Sequence, residues 1–439
     1  MEDDVAASLL LAIEGERLVI LSGAGLSMAA PSGVPSAKAL LEECVKAYEE
    51  HTTTQVPATA SADIEAFARW LRSKNEFSKY FINLLIPWPV FRRDPNAGHI
   101  AIADFLCTGV ADYSVTANVD VLVEIAAEKL GEDDFRSDLR SIDLERTPEH
   151  KRLLKLHGCC LIEREFSIWC REQMADGPVQ DRIKSFSTFL RANLPGKTLL
   201  VVGFWTDWAY LNQLLLEAVG NVEPQGVILV DPAEPDTLEG KAPELWKWAN
   251  SRAAKFVHVK RSGADFLDEL RAMYSRKFLT NLMNRSRDTF RALTGVALGA
   301  APPLPTTLTS DDLYALRRDA CGQPVGGIAR VKRPGLQHEL LGAMHLLMAH
   351  KGGTLDGSTY SLGGKRLRLV NGAGELMSKV KQRFMNEPPT PLKTDTTVCV
   401  GCHDDGGAVP HIIRGGGSGG IVRPVALGDW TSHEALLAP

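Results

Sequence analysis

No apolar run in this 439-residue chain approaches the roughly 18 residues that a membrane-spanning helix needs. The opening residues, MEDDVAASLLLAIEGERL, lack the basic start and the small-residue cleavage site of a secretory signal. Cysteine is scarce, 8 in 439 residues, too few for the disulfide framework of a small secreted domain. No internal repeat is visible. These absences predict a cytoplasmic protein with reduced thiols and no membrane contact. What is present is ordinary for a soluble protein with a sizeable core: 44% hydrophobic and 23% charged residues. The length suits two domains, or one large domain with an appendage. The net charge of −5 hides an asymmetry. Residues 276–439 carry 20 Lys+Arg against 13 Asp+Glu, and the rest carries 29 against 41. Either the two parts pack on each other, or the basic part meets an acidic partner or nucleic acid.

Up to about residue 275, short apolar runs alternate with amphipathic stretches. RLVILS (17–22), DYSVTAN (112–118), RLLKLHG (152–158), TLLVVGF (198–204), GVILVD (226–231) and KFVHV (255–259) read as strands buried on both faces. Between them SAKALLEECVKAYEEH, SADIEAFARWLRSK, GHIAIADFLC, VDVLVEIAAEKL, WAYLNQLLLEAV and GADFLDELRAMY read as helices. This alternation predicts an α/β fold, a Rossmann-like open parallel sheet with helices on both faces, over residues 1–275. Residues 276–310 read as a helix and linker, with ALGAAPPLPTTLTS (297–310) as the linker itself. Residues 311–439 read as a smaller mixed α+β domain that assembles or regulates the first. It holds the turn pairs Asp-Gly, Gly-Gly and Asn-Gly, two helical stretches (HELLGAMHLLMAHK and ELMSKVKQRF), and a Gly-rich connector or loop from Arg414 to Pro424.

In an open parallel sheet the ligand lies outside the carboxyl ends of the strands. Candidate chemistry therefore belongs just after the apolar runs. After the first run stands Gly23-Ala24-Gly25-Leu26-Ser27, with Met28 where the dinucleotide fingerprint wants a third glycine. The two glycines permit either close approach to a phosphate or close packing of the turn itself. Asn118 and Asp120 follow the second run and are equally good helix caps. His157-Gly158 follows the third, Gly203 and the helix-cap candidate Asp207 the fourth, and Asp231 the fifth. Together they put polar groups and glycines along one edge of one sheet.

In this order, with Pro95-Asn96 and His99 between them and Gly263-Ala264-Asp265-Phe266-Leu267 after them, these residues resemble the motifs of sirtuins over about residues 5–275. The chain departs from the protein deacylases of that family. Their GIPDFR segment is Gly33-Val34-Pro35-Ser36-Ala37-Lys38 here, and their TQNID segment is Thr116-Ala117-Asn118-Val119-Asp120. Their two CxxC pairs after the His-Gly are replaced by Cys159, Cys160 and Cys170. The departures resemble bacterial sirtuin-domain proteins of antiphage defence.

That resemblance implies an NAD+ glycohydrolase, with NAD as substrate and its depletion as the outcome. It implies Asn118 and His157 as catalytic residues. Gly23, Ala24, Gly25, Ser27, Asp120, Gly203 and Asp231 would bind the dinucleotide, Asp231 at the adenosine ribose or simply as a helix cap. It implies a homo-oligomer gated by a partner protein, a HerA-type hexameric ATPase ahead of a short Argonaute, with nucleic acid involved only indirectly. Two alternatives remain open at this level: an NAD-dependent protein deacylase, and a non-catalytic scaffold that binds NAD or ADP-ribose.

No structural zinc is expected. Cys159 and Cys160 are adjacent, a spacing poorly suited to one tetrahedral ion, and read as free thiols. Cys399-Val400-Gly401-Cys402-His403 has the spacing of c-type haem attachment, but that needs an exported chain. With His411 it is a zinc candidate, or a turn bearing two thiols.

Overall fold

All six apolar runs are strands. They are β1 Leu18–Ser22, β2 Ala111–Thr116, β3 Arg152–Lys155, β4 Thr198–Val202, β5 Gly226–Val230 and β6 Phe256–Val259. The computed structural model describes residues 2–145, 151–206, 208–387, 394–403 and 429–437. Asp207, His411 and the segment 414–424 lie outside the described residues. The chain divides into two compact units, Met1–Lys129 with Asp133–Asp268, and Leu130–Glu132 with Glu269–Pro439.

The first unit holds one parallel sheet in the order β3-β2-β1-β4-β5-β6. Every residue of β1, β4 and β5 is buried, because helices cover both faces of the sheet. From β1 the chain runs outward through β2 to β3, then returns to the middle as β4 and runs the other way. That reversal opens a crevice at the carboxyl ends of β1 and β4.

The six amphipathic stretches are the helices Ala37–Thr52, Ile64–Ser73, Ala97–Thr108, Leu122–Lys129, Ala209–Val219 and Gly263–Arg285. Their starts are fixed by side-chain caps where the sequence offers them. Ser36 accepts from Ala39 N at 3.2 Å and Asp63 from Ala66 N at 2.7 Å. Helices Asp3–Glu14, Phe77–Leu85, Gly177–Asn193, Pro235–Lys241 and Pro243–Arg252 also belong to the unit without having been singled out from the sequence. A core of Val, Leu and aromatic side chains lies on the sheet. A second core is built mainly from the chain between β1 and β2 and is closed by residues after β2 and β3; in it Phe81 meets Phe67 and Trp169 ring to ring. Each such fully buried side chain contributes about 1.5–3 kcal/mol.

The second unit is mixed, as the sequence predicts. Its sheet runs β11-β10-β9-β8-β7, with β7 Thr354–Asp356, β8 Thr359–Leu362, β9 Lys365–Asn371, β10 Thr396–Val400 and β11 Asp429–Ser432. The Asp-Gly and Gly-Gly pairs turn antiparallel hairpins. Gly363 and Gly364 both have positive φ (58° and 75°), the backbone that a two-residue hairpin requires. The Asn-Gly pair does not turn a hairpin. It opens a crossover through helix Met377–Phe384 to β10, which lies parallel to β9. The predicted linker also ends one residue early: Thr309 caps helix Ser310–Ala320, its hydroxyl accepting from Asp312 N at 3.1 Å.

Candidate functional site

At the carboxyl edge of the parallel sheet lies a cavity of about 800 Å³. All nine candidate residues line it: Gly23, Ala24, Gly25 and Ser27 after β1, Asn118 and Asp120 after β2, His157 after β3, Gly203 after β4 and Asp231 after β5. The chain between β1 and the helix Ala37–Thr52 adds Val34, Pro35 and Ser36, the first turn of that helix adds Lys38, and Lys241 is a second cation at the rim.

The glycines have a packing reason of their own. Gly23 N donates to Val202 O at 3.1 Å and Gly25 N to Gly203 O at 2.8 Å. A Cβ on Gly23 would sit 2.5 Å from Phe204 Cα, and one on Gly203, at φ 60°, would sit 2.4 Å from Leu26 N. The turns after β1 and β4 thus touch backbone to backbone, which only glycine allows. This contact fixes the floor of the cavity.

Ser27 is the hub of that floor. Its Oγ donates to Asp120 Oδ2 at 2.8 Å and accepts from Asn118 Nδ2 at 2.9 Å. His99 Nε2 lies 3.1 Å from the same oxygen. The tautomer follows from the other ring nitrogen: Asn96 N donates to His99 Nδ1 at 3.3 Å, so the proton sits on Nε2 and is donated to Ser27. The hydroxyl therefore makes one donated and two accepted bonds, and all four side chains are held in one arrangement. Asn96 ties the group down further. It caps helix Ala97–Thr108 and its Nδ2 donates to Leu26 O at 2.7 Å.

Asp120 also caps a helix, accepting from Leu122 N through Oδ1 at 3.3 Å. The capping role and the cavity role coexist, one on each oxygen. Burial pushes the Asp120 carboxyl upward, while the charge of Lys155 and the bonds from Ser27, Leu122 and Asn118 pull it down. Lys155 is fully buried at the end of β3. It donates to the Asp120 carbonyl and lies 2.8 Å from Glu124 Oε1. It thereby clamps the 118–120 turn from beneath.

His157 stands across the cavity in an aromatic setting. Its ring stacks on Tyr210 (centroids 6.0 Å apart, 10° between planes) and on Trp208 (6.0 Å, 27°). The Tyr210 hydroxyl lies 3.4 Å from His157 Nε2. Burial, helped by the Arg182 charge, lowers the His157 pKa to about 3, so the ring is neutral near pH 7 and keeps a lone pair. Asp231 lines the cavity and accepts from Ala233 N through Oδ1 at 2.9 Å, a turn-closing bond.

Sequence reasoning gave no role to His99, Lys155, Trp208, Tyr210 and the two rim lysines. Three signals were present. Pro95-Asn96-Ala97-Gly98-His99 has capping-box spacing, Lys155 interrupts an apolar strand, and Phe204-Trp205-Thr206 with Trp208 and Tyr210 is an aromatic cluster just after a strand end.

The buried histidines predict acid sensitivity. Burial also lowers His99 to about 3. An unfolded histidine binds its proton near pH 6.5. Between that value and about 3 the unfolded chain therefore holds more protons than the fold, and acid favours unfolding by up to about 1.4 kcal/mol per pH unit for each histidine. Asp120, with its raised pKa, works in the opposite direction and offsets part of this. The expected result is a lower thermal midpoint at about pH 5 than at about pH 7 by near-UV circular dichroism. A flat or rising profile would contradict it.

With this geometry in place, residues 112–254 match the family model described as a SIR2-like domain. Over that stretch the chain is SIR2-like. The matched stretch includes Asn118, Asp120, His157, Gly203 and Asp231, while the loop at Gly23–Ser27 precedes it. A curated relative, the NAD-dependent protein lipoamidase sirtuin-4 of Bos taurus mitochondria, is 23% identical over 319 residues, covering 70% of this chain and 80% of that protein. Among solved structures, a Sir2 homolog–NAD complex is 18% identical, with 62% of this chain and 93% of that one covered and a TM-score of 0.33. A Sir2 homologue mutant bound to ADP-ribose is 17% identical, with 62% and 95% covered and the same TM-score of 0.33.

The eight cysteines carry no disulfide. Among the described residues no group of three or more His, Cys, Asp or Glu is placed to hold a metal ion, and no helix is long and apolar enough to cross a membrane.

Proposed function

We propose that this protein hydrolyses NAD+ to nicotinamide and ADP-ribose. The observation that carries the reading is the Ser27 hub, which holds Asn118 and Asp120 side by side on the floor of a cavity large enough for a dinucleotide. The relatives support NAD as the molecule bound, since one is an NAD-dependent lipoamidase and another was solved with NAD.

The chemistry suits these residues. Breaking the bond from nicotinamide to ribose builds positive charge at the anomeric carbon. The Asp120 carboxylate stabilises that charge from a buried position, where charges interact more strongly than in water. Asn118, its Nδ2 held by Ser27, has its carbonyl oxygen to orient a water for attack. His157 is neutral, and its lone pair accepts a hydrogen bond from that water or from a ribose hydroxyl, which positions the group without taking its proton. Lys38 and Lys241 offer charge to the pyrophosphate, and Asp231 accepts from the adenosine ribose. The water's oxygen joins the anomeric carbon, nicotinamide leaves with the bonding pair, and one proton is released.

An unregulated NADase would exhaust its own cell. The second unit is therefore assigned to assembly and control, in a homo-oligomer gated by a partner such as a HerA-type ATPase, with antiphage defence as the setting. The deciding experiment gives the purified protein NAD alone, then NAD with an acyl-lysine peptide, and separates the products by chromatography. Nicotinamide and ADP-ribose without peptide are expected, at a low basal rate that a partner raises. Turnover only with the acyl peptide would replace hydrolysis with deacylation. Binding without turnover under every condition would leave a scaffold.

A further inference from the structure

The second unit contains a sulfur pair that the proposed chemistry does not use. Cys399 is the fourth residue of β10 and is fully buried. Cys402 follows Gly401, whose φ of 69° turns the chain back on itself, and is half-buried. The turn brings the second cysteine over the first: Cys402 Sγ donates to the Cys399 carbonyl at 3.4 Å. Both side chains rest on Gly372, where an added Cβ would lie 2.9 Å from Cys399 Sγ and 2.8 Å from Cys402 Cβ. A glycine is needed there because two sulfur-bearing side chains occupy the space. Val370, Met377, Val380, Phe384 and the Trp430 ring wall the pocket on its inner side.

We propose that Cys399 and Cys402 are a redox-active dithiol, closed to a disulfide by exchange with a low-molecular-weight disulfide. The neighbouring Cys402 thiol and then burial push the Cys399 thiol up, and Cys402 is the more exposed of the two, so Cys402 is the sulfur that reacts first. Its thiolate attacks one sulfur of glutathione disulfide. The S–S bond breaks, one glutathione leaves as thiolate, and a mixed disulfide forms on Cys402. The Cys399 thiolate then attacks Cys402 Sγ and expels the second glutathione. The two cysteines lose two electrons, the glutathione disulfide gains them, and the two cysteine protons end on the two glutathione thiols. The three-residue spacing and the turn at Gly401 keep the second thiol next to the first throughout, which favours ring closure over a lasting adduct. The reverse exchange with reduced glutathione reopens the pair.

The test uses the full chain, equilibrated across ratios of oxidised to reduced glutathione, acid-quenched, denatured and alkylated. Of the eight cysteines, two are expected to escape alkylation at the oxidising end. The peptide spanning 399–402 should be lighter by two hydrogens, and both changes should reverse on reduction. Cys402→Ser should abolish the paired loss. If that variant does not fold, the peptide mass of the unaltered protein decides alone. Persistence of all eight thiols, a stable glutathione adduct at Cys402, or a disulfide to Cys321 would each overturn the proposal.

Discussion

Asn118→Ala lowers NAD hydrolysis by at least about 100-fold, the scale of losing a positioned group that acts only in the transition state. The variant is informative because its structural cost is small. Asn118 gives Ser27 one of its two accepted hydrogen bonds, and His99 still supplies the other. Losing one such bond costs roughly 1 kcal/mol. The thermal midpoint should therefore fall by only a few degrees, on the order expected for that loss. NAD should still bind, because the glycine turns, the rim lysines and Asp231 remain. The signature is a fall in kcat with Kd for NAD nearly unchanged, read by product chromatography and by calorimetric titration. A variant with near-normal kcat would remove Asn118 from the reaction. Loss of binding with an intact fold would make it a ligand-positioning residue.

The strand ends were legible because burial on both faces leaves continuous apolar runs, and a parallel sheet puts its ligand where those runs stop. That is why Ser27, Asn118, His157 and Asp231 could be placed on one edge before any contact was known. The wiring between them was not legible. His99 is 72 residues from Ser27, and only the tertiary path of helix Ala97–Thr108 brings its ring to the hydroxyl. Lys155 drew no role because its partners, the Asp120 carbonyl and Glu124, lie 35 and 31 residues away in the chain. The glycines raised a choice between ligand and packing. The contact of Gly23 and Gly25 with the Gly203–Phe204 backbone gives packing a definite part. In the second unit the hairpins were local and readable from Asp-Gly and Gly-Gly. The β9–β10–β11 pairing is non-local, and no short-range pattern encodes it.

Arg368→Leu unfolds or severely loosens the second unit, at a cost of about 3–5 kcal/mol, the range for removing one member of a buried ion network. Arg368 lies in β9 with its side chain buried. Nε and Nη2 donate to Asp319 Oδ2 and Oδ1 at 2.8 and 2.6 Å. Nη1 and Nη2 also donate to Glu387 Oε2 and Oε1 at 2.7 and 3.0 Å. Burial opposes the positive charge, and the two carboxylates more than reverse that, holding the guanidinium protonated. Leucine would fill much of the volume and rest on Phe384, over which the guanidinium now lies at 5.2 Å. It would also leave Asp319 and Glu387 as two like charges, both buried and without their shared cation. Arg318, whose Nη2 lies 4.0 Å from Asp319 Oδ1, offsets part of that charge, and the remaining like-charge pair, not the lost packing, sets the size of the effect. Arg368→Lys separates the two causes. A lysine keeps the charge but cannot bridge both carboxylates with paired donors, so an intermediate loss is expected. Urea unfolding followed by circular dichroism, with the two variants beside the unaltered chain, gives the ranking. Equal losses for Lys and Leu would assign the effect to geometry alone, and a Leu variant within about 1 kcal/mol of the unaltered protein would show that the fold absorbs the two carboxylates without Arg368.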